Sequence, residues 1–190
     1  MVQANYHNKN FRGVQFKQDD LMKKEYEECS FENCIFTATN LSDTMFEKCE
    51  FTNCDLSNAI ISHTSFQDAQ FKDCKMIGVN FEDINPFLFQ VSFSNCNLKL
   101  SSFYRIKLTR TKFEKCQLND VDFSNSNIEA SQFDHCDLGG AIFENTNLKK
   151  ADFRSSYHYL LNPNNNQILG AAFSLDQVGG LLSGYGIVID

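Results

Sequence analysis

Large apolar residues recur at every fifth position along most of this chain. One run begins at Phe11 and ends at Phe81, and a second begins at Leu88 and ends at Phe153, with the register shifted by two residues between them. Only 42% of all residues are hydrophobic, so chance does not produce a series of this length. A period of five matches neither the period of two of a strand nor the 3.6 of a helix. The pattern therefore predicts a repeat protein.

The position two residues before each large apolar residue carries an uncharged and mostly small side chain. Between Cys29 and Ala151 these positions hold Cys, Thr, Ala, Ser, Val or Ile, and once a proline, Pro86. The other three positions of each pentad carry nearly all of the charged and amide side chains. One large and one small inward residue per five indicate a short edge followed by a corner. This predicts a solenoid with flat sides.

A second period of twenty residues appears when the columns are compared. Allowing for two extra residues near position 84, the column that begins at Phe11 consists entirely of Phe. Four edges of five residues would close a square coil. Coils stacked at the strand spacing of about 4.8 Å give a core roughly 34 Å long. We expect the later members of this column to form the structural core: Phe31, Phe51, Phe71, Phe93, Phe113, Phe133 and Phe153.

The motif small–polar–Leu/Phe–polar–polar, as in Ala141-Ile-Phe143-Glu-Asn, resembles the repeat of the pentapeptide-repeat family. The resemblance extends from Phe11 to Phe153. It implies an all-β fold, a right-handed quadrilateral β-helix with a turn at every corner. It implies much less about function, because the repeat specifies a core rather than a site.

The eight cysteines invite a metal-site interpretation, because the first four are spaced C-x4-C-x14-C-x4-C. All eight, however, occupy the small inward position of the pentad, where a buried Cys behaves as a small hydrophobe. We therefore predict core packing, with no metal and no essential disulfide in a reducing compartment. These residues are Cys29, Cys34, Cys49, Cys54, Cys74, Cys96, Cys116 and Cys136.

No motif in the sequence indicates catalysis. His135 adjoins Cys136, but neighbouring positions of an edge point to opposite faces, so the pair does not make a nucleophile and base. The sequence contains no phosphate-binding glycine loop, no G-x-S-x-G and no H-E-x-x-H. The expectation is a protein that is not an enzyme and has no cofactor.

The repeat divides the chain into a lead-in over residues 1–10, a β-helix over 11–173, and a C-terminal cap over 174–190. Charged residues at inward positions of the first coil, Lys9, Asp19 and Lys24, predict that this coil is distorted. A two-residue insertion falls at 84–88, and an excursion with a turn at Asn162-Pro163 covers 154–167. Phe87 and Phe89 fit neither register. The insertion is interpreted as a bulge that bends the rod or as a contact patch for a partner.

The C-terminal segment has the pattern of a cap followed by a dimerisation tail. Ser174 resembles a helix N-cap, Gly184 a stop, and residues 186–190 a short apolar strand. The side chains left for a twofold contact are Leu181, Leu182, Ile187, Val188 and Ile189. An end of this kind is similar to that of the Qnr and McbG branch of the family. That similarity implies a homodimer joined through its C-termini.

Charge is distributed unevenly along the rod. The chain has a net charge of −7, which argues against direct nucleic-acid binding. Between residues 25 and 55 eight outward positions are acidic, with Lys48 as the one basic residue: Glu25, Glu27, Glu28, Glu32, Asp43, Glu47, Glu50 and Asp55. A basic band follows further along: Lys99, Arg105, Lys107, Arg110, Lys112 and Lys115. The sequence has no apolar run of signal-peptide or membrane-helix length, so the expected location is cytoplasmic.

Three interpretations of the acidic surface follow. The first is a solvated face that keeps the protein soluble. The second comes from the resemblance: topoisomerase-interacting members are bacterial acidic rods similar to duplex DNA, and they protect DNA gyrase from quinolones or peptide toxins. The third is a protein-interaction scaffold with an unrelated partner. Because long projecting loops are absent, the pattern is nearer to McbG than to the looped Qnr proteins.

Overall fold

The computed structural model describes residues 5–17 and 20–188, which form a four-sided parallel β-helix. Asp19, Ile189 and Asp190, which the sequence analysis singled out, lie outside the described residues. Two sides of the rod carry strands, and the other two are joined by isolated parallel bridges. This confirms the all-β fold class predicted from the five-residue repeat.

The first side carries a four-stranded parallel sheet in the order β1-β3-β5-β7. The inward column of this side is Tyr6, Tyr26, Phe46 and Phe66, whose rings stack with centroids 4.9–5.4 Å apart. The strands are β1 (Asn5–His7), β3 (Glu25–Glu27), β5 (Met45–Glu47) and β7 (Ser65–Gln67).

The second side carries a seven-stranded parallel sheet in the order β11-β10-β9-β8-β6-β4-β2. Its inward column is the all-Phe column, which continues to Phe173 with each ring stacked on the next at 4.7–5.4 Å. The strands are β2 (Asn10–Arg12), β4 (Ser30–Glu32), β6 (Glu50–Thr52), β8 (Ala69–Lys72), β9 (Val91–Ser94), β10 (Lys112–Glu114) and β11 (Gln132–Asp134).

The third and fourth sides are held by bridges between single residues. On the third side the series Gln15, Ile35 and Asp55 advances by twenty residues per coil. On the fourth, Asn40 pairs with Ile60 at the same spacing. The step becomes 22 across the insertion, as between Lys75 and Asn97. The two extra residues are therefore absorbed within one coil, and the pairing register recovers beyond it.

Corners form at the second residue after each large inward one. At almost every corner this residue has a left-handed φ, which among the non-glycine residues ranges from 50° at Asn8 to 62° at His158, and Asn and Asp are common there. Asn and Asp tolerate this conformation because their short polar side chains bond locally to the backbone. The αL residue turns the chain, so five residues make one edge of the square.

The core is one continuous cluster along the rod. All seven Phe residues assigned to the structural core are buried, as are all eight cysteines. The first coil is not distorted along Asn5–Arg12, since β1 and β2 pair in register with β3 and β4. Lys9 is exposed, and Lys24 turns its ammonium outward to the Asp20 carbonyl.

The insertion corrects one assignment of the inward register. Leu88, expected to face the core, is exposed with a φ of 54°, and Phe87 is exposed beside it. Phe89 packs instead against the core. An edge lengthened by two residues must bulge, and a one-residue slip then exchanges inward and outward side chains. Pro86, at a nominally small inward position, is exposed for the same reason.

The C-terminal cap also differs from the expected helix and strand. Leu175–Leu181 and Ser183–Tyr185 are 3-10 helices, and Ile187 and Val188 are irregular. An earlier 3-10 turn, Pro163–Asn165, lies within the 154–167 segment and begins at the predicted Asn162-Pro163. Leu161 donates a backbone hydrogen bond to the Gly180 carbonyl, which fixes the cap onto the last coil.

Candidate functional site

The acidic side chains of the early coils lie mainly on two adjoining sides of the rod and at the corner between them. Glu25 and Glu27 lie on β3 and Glu47 on β5, all on the first side. Glu32 on β4 and Glu50 on β6 lie on the adjoining second side. Glu28 sits at the αL corner between them. We call these six residues the acidic corner. Asp43 sits at the opposite end of the first side, at the αL corner that joins the fourth side to it, and Asp55 lies on the third side.

Several carboxylates of this group lie close to a basic side chain one coil away. Glu27 lies 3.3 Å from His7 Nδ1, Glu28 lies 3.6 Å from Lys48 Nζ, and Glu32 lies 3.6 Å from Arg12 Nε. Glu47 and Glu50 have no ion pair within the described part of the chain. The paired side chains are 40–75% exposed. Surface pairs of this kind contribute little free energy, so the carboxylates can exchange these partners for groups of a binding protein.

The surroundings of Asp55 lower the pKa of its carboxyl group. Partial burial acts to raise the pKa of this carboxyl group. Hydrogen bonds from Ser57 and the ammonium of Lys75, 3.4 Å away, outweigh burial and hold that pKa below its usual value. Asp55 therefore stays ionised throughout the physiological range.

The basic band wraps around the rod rather than covering one face. Lys99 lies on the third side and Arg105 follows the fourth, while Lys107 and Arg110 lie on the first side. Lys112 and Lys115 belong to the second side, on and next to β10. Glu47 and Lys107 are three coils apart, or about 14 Å at the strand spacing. This exceeds the Debye length of about 10 Å at 0.1 M salt. The acidic corner and the basic band therefore act as separate surfaces.

The cysteine thiols have partners in the backbone. Each thiol of the ladder lies near the carbonyl oxygen of the large residue one coil back, as between Cys54 and Phe31 at 3.3 Å. Burial raises the pKa of Cys49 to about 12. The thiol of Cys136, followed by burial, raises the pKa of Cys116 to about 12. All eight cysteines are free thiols. Among residues 5–17 and 20–188, no group of His, Cys, Asp or Glu is arranged to hold a metal ion.

His135 and Cys136 point to opposite faces, as the sequence indicated. The imidazole of His135 is exposed and lies 2.8 Å from Asp134, whereas Cys136 is buried. The two side chains do not form a nucleophile and base.

No helix in the part of the chain that the structure describes has the length and hydrophobicity of a membrane span.

The C-terminal end of the rod exposes apolar side chains. Leu169 and Leu175 are exposed, as are Ile187 and Val188 of the expected dimer tail. Leu181 packs against the core of its own chain, and Leu182 is half-buried, so these two are less available to a partner. Sequence reasoning missed Leu169 and Leu175, because their exposure depends on where the last coil meets the cap.

The stacked four-sided coils place this protein among the solenoids whose core is specified by a five-residue repeat. The family model described as a pentapeptide repeat region matches residues 24–86 and 87–157. The chain therefore belongs to the pentapeptide-repeat family. A comparison with curated protein sequences gave no significant match.

Solved structures resemble the fold at low sequence identity. The chain is similar to a trypsin-treated variant of QnrB1, described as a plasmid-mediated fluoroquinolone resistance protein, at 19% identity and a TM-score of 0.71. That alignment covers 98% of this chain and 91% of the QnrB1 chain. It is also similar to HetL, involved in heterocyst differentiation regulation in Nostoc sp. strain PCC 7120, at 14% identity. There the alignment covers 91% and 87% of the two chains, with a TM-score of 0.47.

Proposed function

We propose that this protein acts without catalysis, by binding a type II DNA topoisomerase through its acidic corner as a partial mimic of duplex DNA. The enzyme would be DNA gyrase or topoisomerase IV, and the outcome would be resistance to quinolones or immunity to a toxin. The observation that carries the proposal is the acidic corner. Six outward carboxylates, on β3 to β6 and at the corner residue Glu28, lie on two adjoining sides of the rod within two successive coils.

The charge of the rod limits the mimicry to that corner. Duplex DNA carries one negative charge per roughly 1.7 Å, or about 20 along a 34 Å rod. This chain has a net charge of −7, and its basic band opposes mimicry in the middle coils. At the acidic corner, strands spaced at about 4.8 Å bring the carboxylates close enough to present a continuous negative field. The contact is accordingly local.

The similarity to QnrB1 supports a resistance protein, as does the resemblance of the repeat pattern to the topoisomerase-interacting branch. The short insertion favours a mechanism that uses the body of the rod rather than long projecting loops. A cytoplasmic location follows from this proposal, because the topoisomerase acts on the chromosome.

Supercoiling by purified gyrase, with and without ciprofloxacin, tests the proposal. The full-length protein should restore supercoiling in the presence of the drug. Reversing Glu27 and Glu47 to Lys should abolish this protection, and raising the salt concentration should weaken it, because exposed charges are screened.

A control variant makes the same change in net charge outside the acidic corner. Glu129 and Glu144 occupy the same pentad position as Glu27 and Glu47, one residue after Ile128 and Phe143, but lie in later coils. Reversing both to Lys should leave protection intact. If the two double variants lose protection equally, or if the unaltered protein does not protect, the topoisomerase proposal is wrong.

The second candidate function is a protein-interaction scaffold with another partner. Exposure of Phe87 and Leu88 at the insertion favours it, because two adjacent large apolar side chains form a patch of the kind that a protein partner can cover. A protein that binds through the insertion and shows no gyrase protection would fit this alternative.

We also propose a homodimer joined at the C-terminal ends. A solenoid end exposes apolar core and needs a cap. Here the cap leaves Phe173 half-buried and leaves Ile187 and Val188 exposed. A twofold contact between two such ends would cover these side chains on both chains at once.

A further inference from the structure

The two-residue insertion interrupts the backbone ladder on the first side of the rod. The sheet of this side ends at β7, and the next bridge along the same side joins Lys107 to Asn127. The Asn127 amide donates to the Ile106 carbonyl at 2.9 Å. The equivalent Lys107 amide donates no backbone hydrogen bond to any described residue. A gap in the wall of the solenoid therefore lies between residues 84–90 and the coil of Lys107.

A groove of about 650 Å³ follows this gap onto the second side. One wall is formed by Phe89 and Gln90 of the insertion, and the other by Lys107, Arg110 and Lys112. A second hollow of about 390 Å³ adjoins it, lined by the apolar Pro86 and Leu88 and again by Lys107. The two hollows share Phe89 and Lys107, so they form one elongated depression with a cationic and an apolar half.

The cations of this depression are not neutralised. Lys48, Lys75 and Lys115 all pair with a carboxylate within 4 Å. Lys107, Arg110 and Lys112 form no ion pair within the described ranges, and Asp68 is the one carboxylate that lines the groove. An unbalanced positive field in a concave site attracts an anionic ligand.

Large apolar side chains are exposed at and beside the depression: Leu88 lines its apolar half, and Phe87 precedes Leu88 in the chain. The side chain of Phe87 is 65% exposed and that of Leu88 is 63% exposed. Leu88 also holds a left-handed φ of 54°, which is unfavourable for a leucine. A ligand that covers these two side chains would remove apolar surface from water while its charged groups meet Lys107 and Arg110.

We propose that this depression binds an extended acidic peptide segment of a partner protein, with a large apolar residue of the peptide packed against Phe87 and Leu88. Such a segment matches both halves of the site, and its backbone carbonyls can accept from the Lys107 amide as an added strand does. A nucleic acid matches less well, because the acidic remainder of the rod repels a polyanion. Lys107 lies about 14 Å along the rod from Glu47. Leu88 and Phe89 of the apolar half line a further hollow together with Glu47, so the two surfaces adjoin at that end. The proposal itself does not depend on topoisomerase binding.

Selection from a phage-displayed random peptide library on the immobilised full-length protein tests the proposal. We expect enrichment of Asp- and Glu-rich peptides that contain Leu, Ile or Phe. A fluorescein-labelled copy of the most enriched peptide should then bind in solution, more weakly at high salt, as followed by fluorescence anisotropy.

Two double variants separate this site from general electrostatics. Lys107→Glu with Arg110→Glu should weaken the labelled peptide at least about tenfold. The control, Lys99→Glu with Lys115→Glu, makes the same change in charge on other sides of neighbouring coils. Each double variant replaces one residue with a left-handed φ, Arg110 in the first and Lys115 in the control. This control should bind as the unaltered protein does. Phe87→Ser with Leu88→Asn should weaken the peptide to a similar extent without reducing thermal stability.

Four outcomes would overturn the proposal. They are enrichment of neutral or basic peptides, an equal loss in the control variant, no loss in the Phe87/Leu88 variant, and displacement of the peptide by oligothymidylate. A fifth outcome would identify a second copy of this chain, rather than an acidic peptide, as the molecule that binds the depression. If the Phe87/Leu88 variant converts an oligomer to a smaller species in sedimentation velocity, the depression is a contact between copies of this protein.

Discussion

Cys96 donates a hydrogen bond from its thiol to the backbone carbonyl of Phe71, 3.3 Å away and 25 residues earlier in the chain. Elsewhere in the ladder the same bond spans 23 residues, as from Cys74 to Phe51 at 3.3 Å. The distance is unchanged because the two inserted residues bulge outward and leave the inner wall of the rod intact. The ladder of thiols and carbonyls therefore passes the insertion without a break.

The buried thiols predict a loss of stability at alkaline pH. An exposed cysteine has a pKa near 8.5, whereas that of Cys49 in the folded protein is about 12. The raised pKa means that the folded state retains its proton where the unfolded state loses it. The contribution of the thiols to the free energy of unfolding should be constant below about pH 8.5 and fall progressively toward pH 12. Guanidinium unfolding in reductant at pH 7, 9 and 10.5 measures this.

Thiol reactivity provides the control. At pH 7.5 Ellman's reagent should modify none of the eight cysteines in the folded protein and all of them after unfolding. A Gln15→Cys variant, at an exposed bridge position, should react at once in the folded state. Rapid labelling of the unaltered protein would show that the ladder is not closed.

Phe113→Ala should be severely destabilising. Its ring stacks on Phe93 at 5.2 Å and on Phe133 at 5.0 Å, and Phe103 and Phe123 meet its edges at 6.1 Å. Truncation opens a cavity in the middle of the rod at a cost of about 3–5 kcal/mol. Denaturant unfolding monitored by circular dichroism gives the value. Phe87→Ala, at an exposed position, should change stability by less than about 0.5 kcal/mol.

Leu100→Asn should raise stability. Leu100 occupies a corner with a φ of 60° and leaves its side chain 63% exposed, whereas Asn58 and Asn125 hold comparable corners. A leucine pays a steric cost in this conformation that asparagine largely avoids, so a gain of up to about 1 kcal/mol is expected. The control is Ile142→Asn, which is also exposed but lies in an extended bridge. An equal gain in both variants in thermal melts would assign the effect to lost apolar exposure instead.

Gly180→Ala should detach the C-terminal cap. A Cβ atom at this position would lie 2.0 Å from the Tyr159 carbonyl oxygen, and that obstructing atom belongs to the backbone, so the contact cannot be relieved by a side-chain movement. Faster hydrogen exchange in residues 175–185, with the coils unchanged, would report the loss. At Gly184 an added Cβ meets Asn162 at an ordinary 3.6 Å, so Gly184→Ala should keep the cap closed. Equal exchange in the two variants would contradict this account.

Deletion of residues 186–190 should convert the proposed dimer to monomer. The deletion removes Ile187 and Val188, which are 56% and 87% exposed in the single chain. Sedimentation velocity at micromolar concentration measures the change. Phe87→Ser provides the control, because it removes an equally exposed apolar residue far from this end. A full-length protein that sediments as a monomer would remove the basis for the contact.

Most of the fold is determined by the sequence alone. In each pentad the large residue and the small residue two positions earlier must both point inward. A chain that turns after every five residues satisfies this requirement, so the pentad predicts the four-sided coil. The stacking of Phe11 through Phe173 and the burial of all eight cysteines depend on this periodicity and on little else. Each coil contacts only its neighbours, so a local pattern is sufficient to predict them.

Three features were decided by the tertiary structure. At the insertion Phe89 replaced Leu88 as the residue that packs inward, because the hydrogen bond from Gln90 to the Phe66 carbonyl resumes the ladder one position later than the spacing indicated. The cap is 3-10 helix, and within it Gly180 packs directly against the Tyr159 backbone, a contact between distant parts of the chain that sequence spacing does not indicate. The eight acidic residues are close in the sequence, yet a four-sided coil places six of them on two adjoining sides and the corner between, with Asp43 and Asp55 elsewhere. Side-chain periodicity specifies which residues are outside, whereas their grouping on the surface depends on where each corner falls.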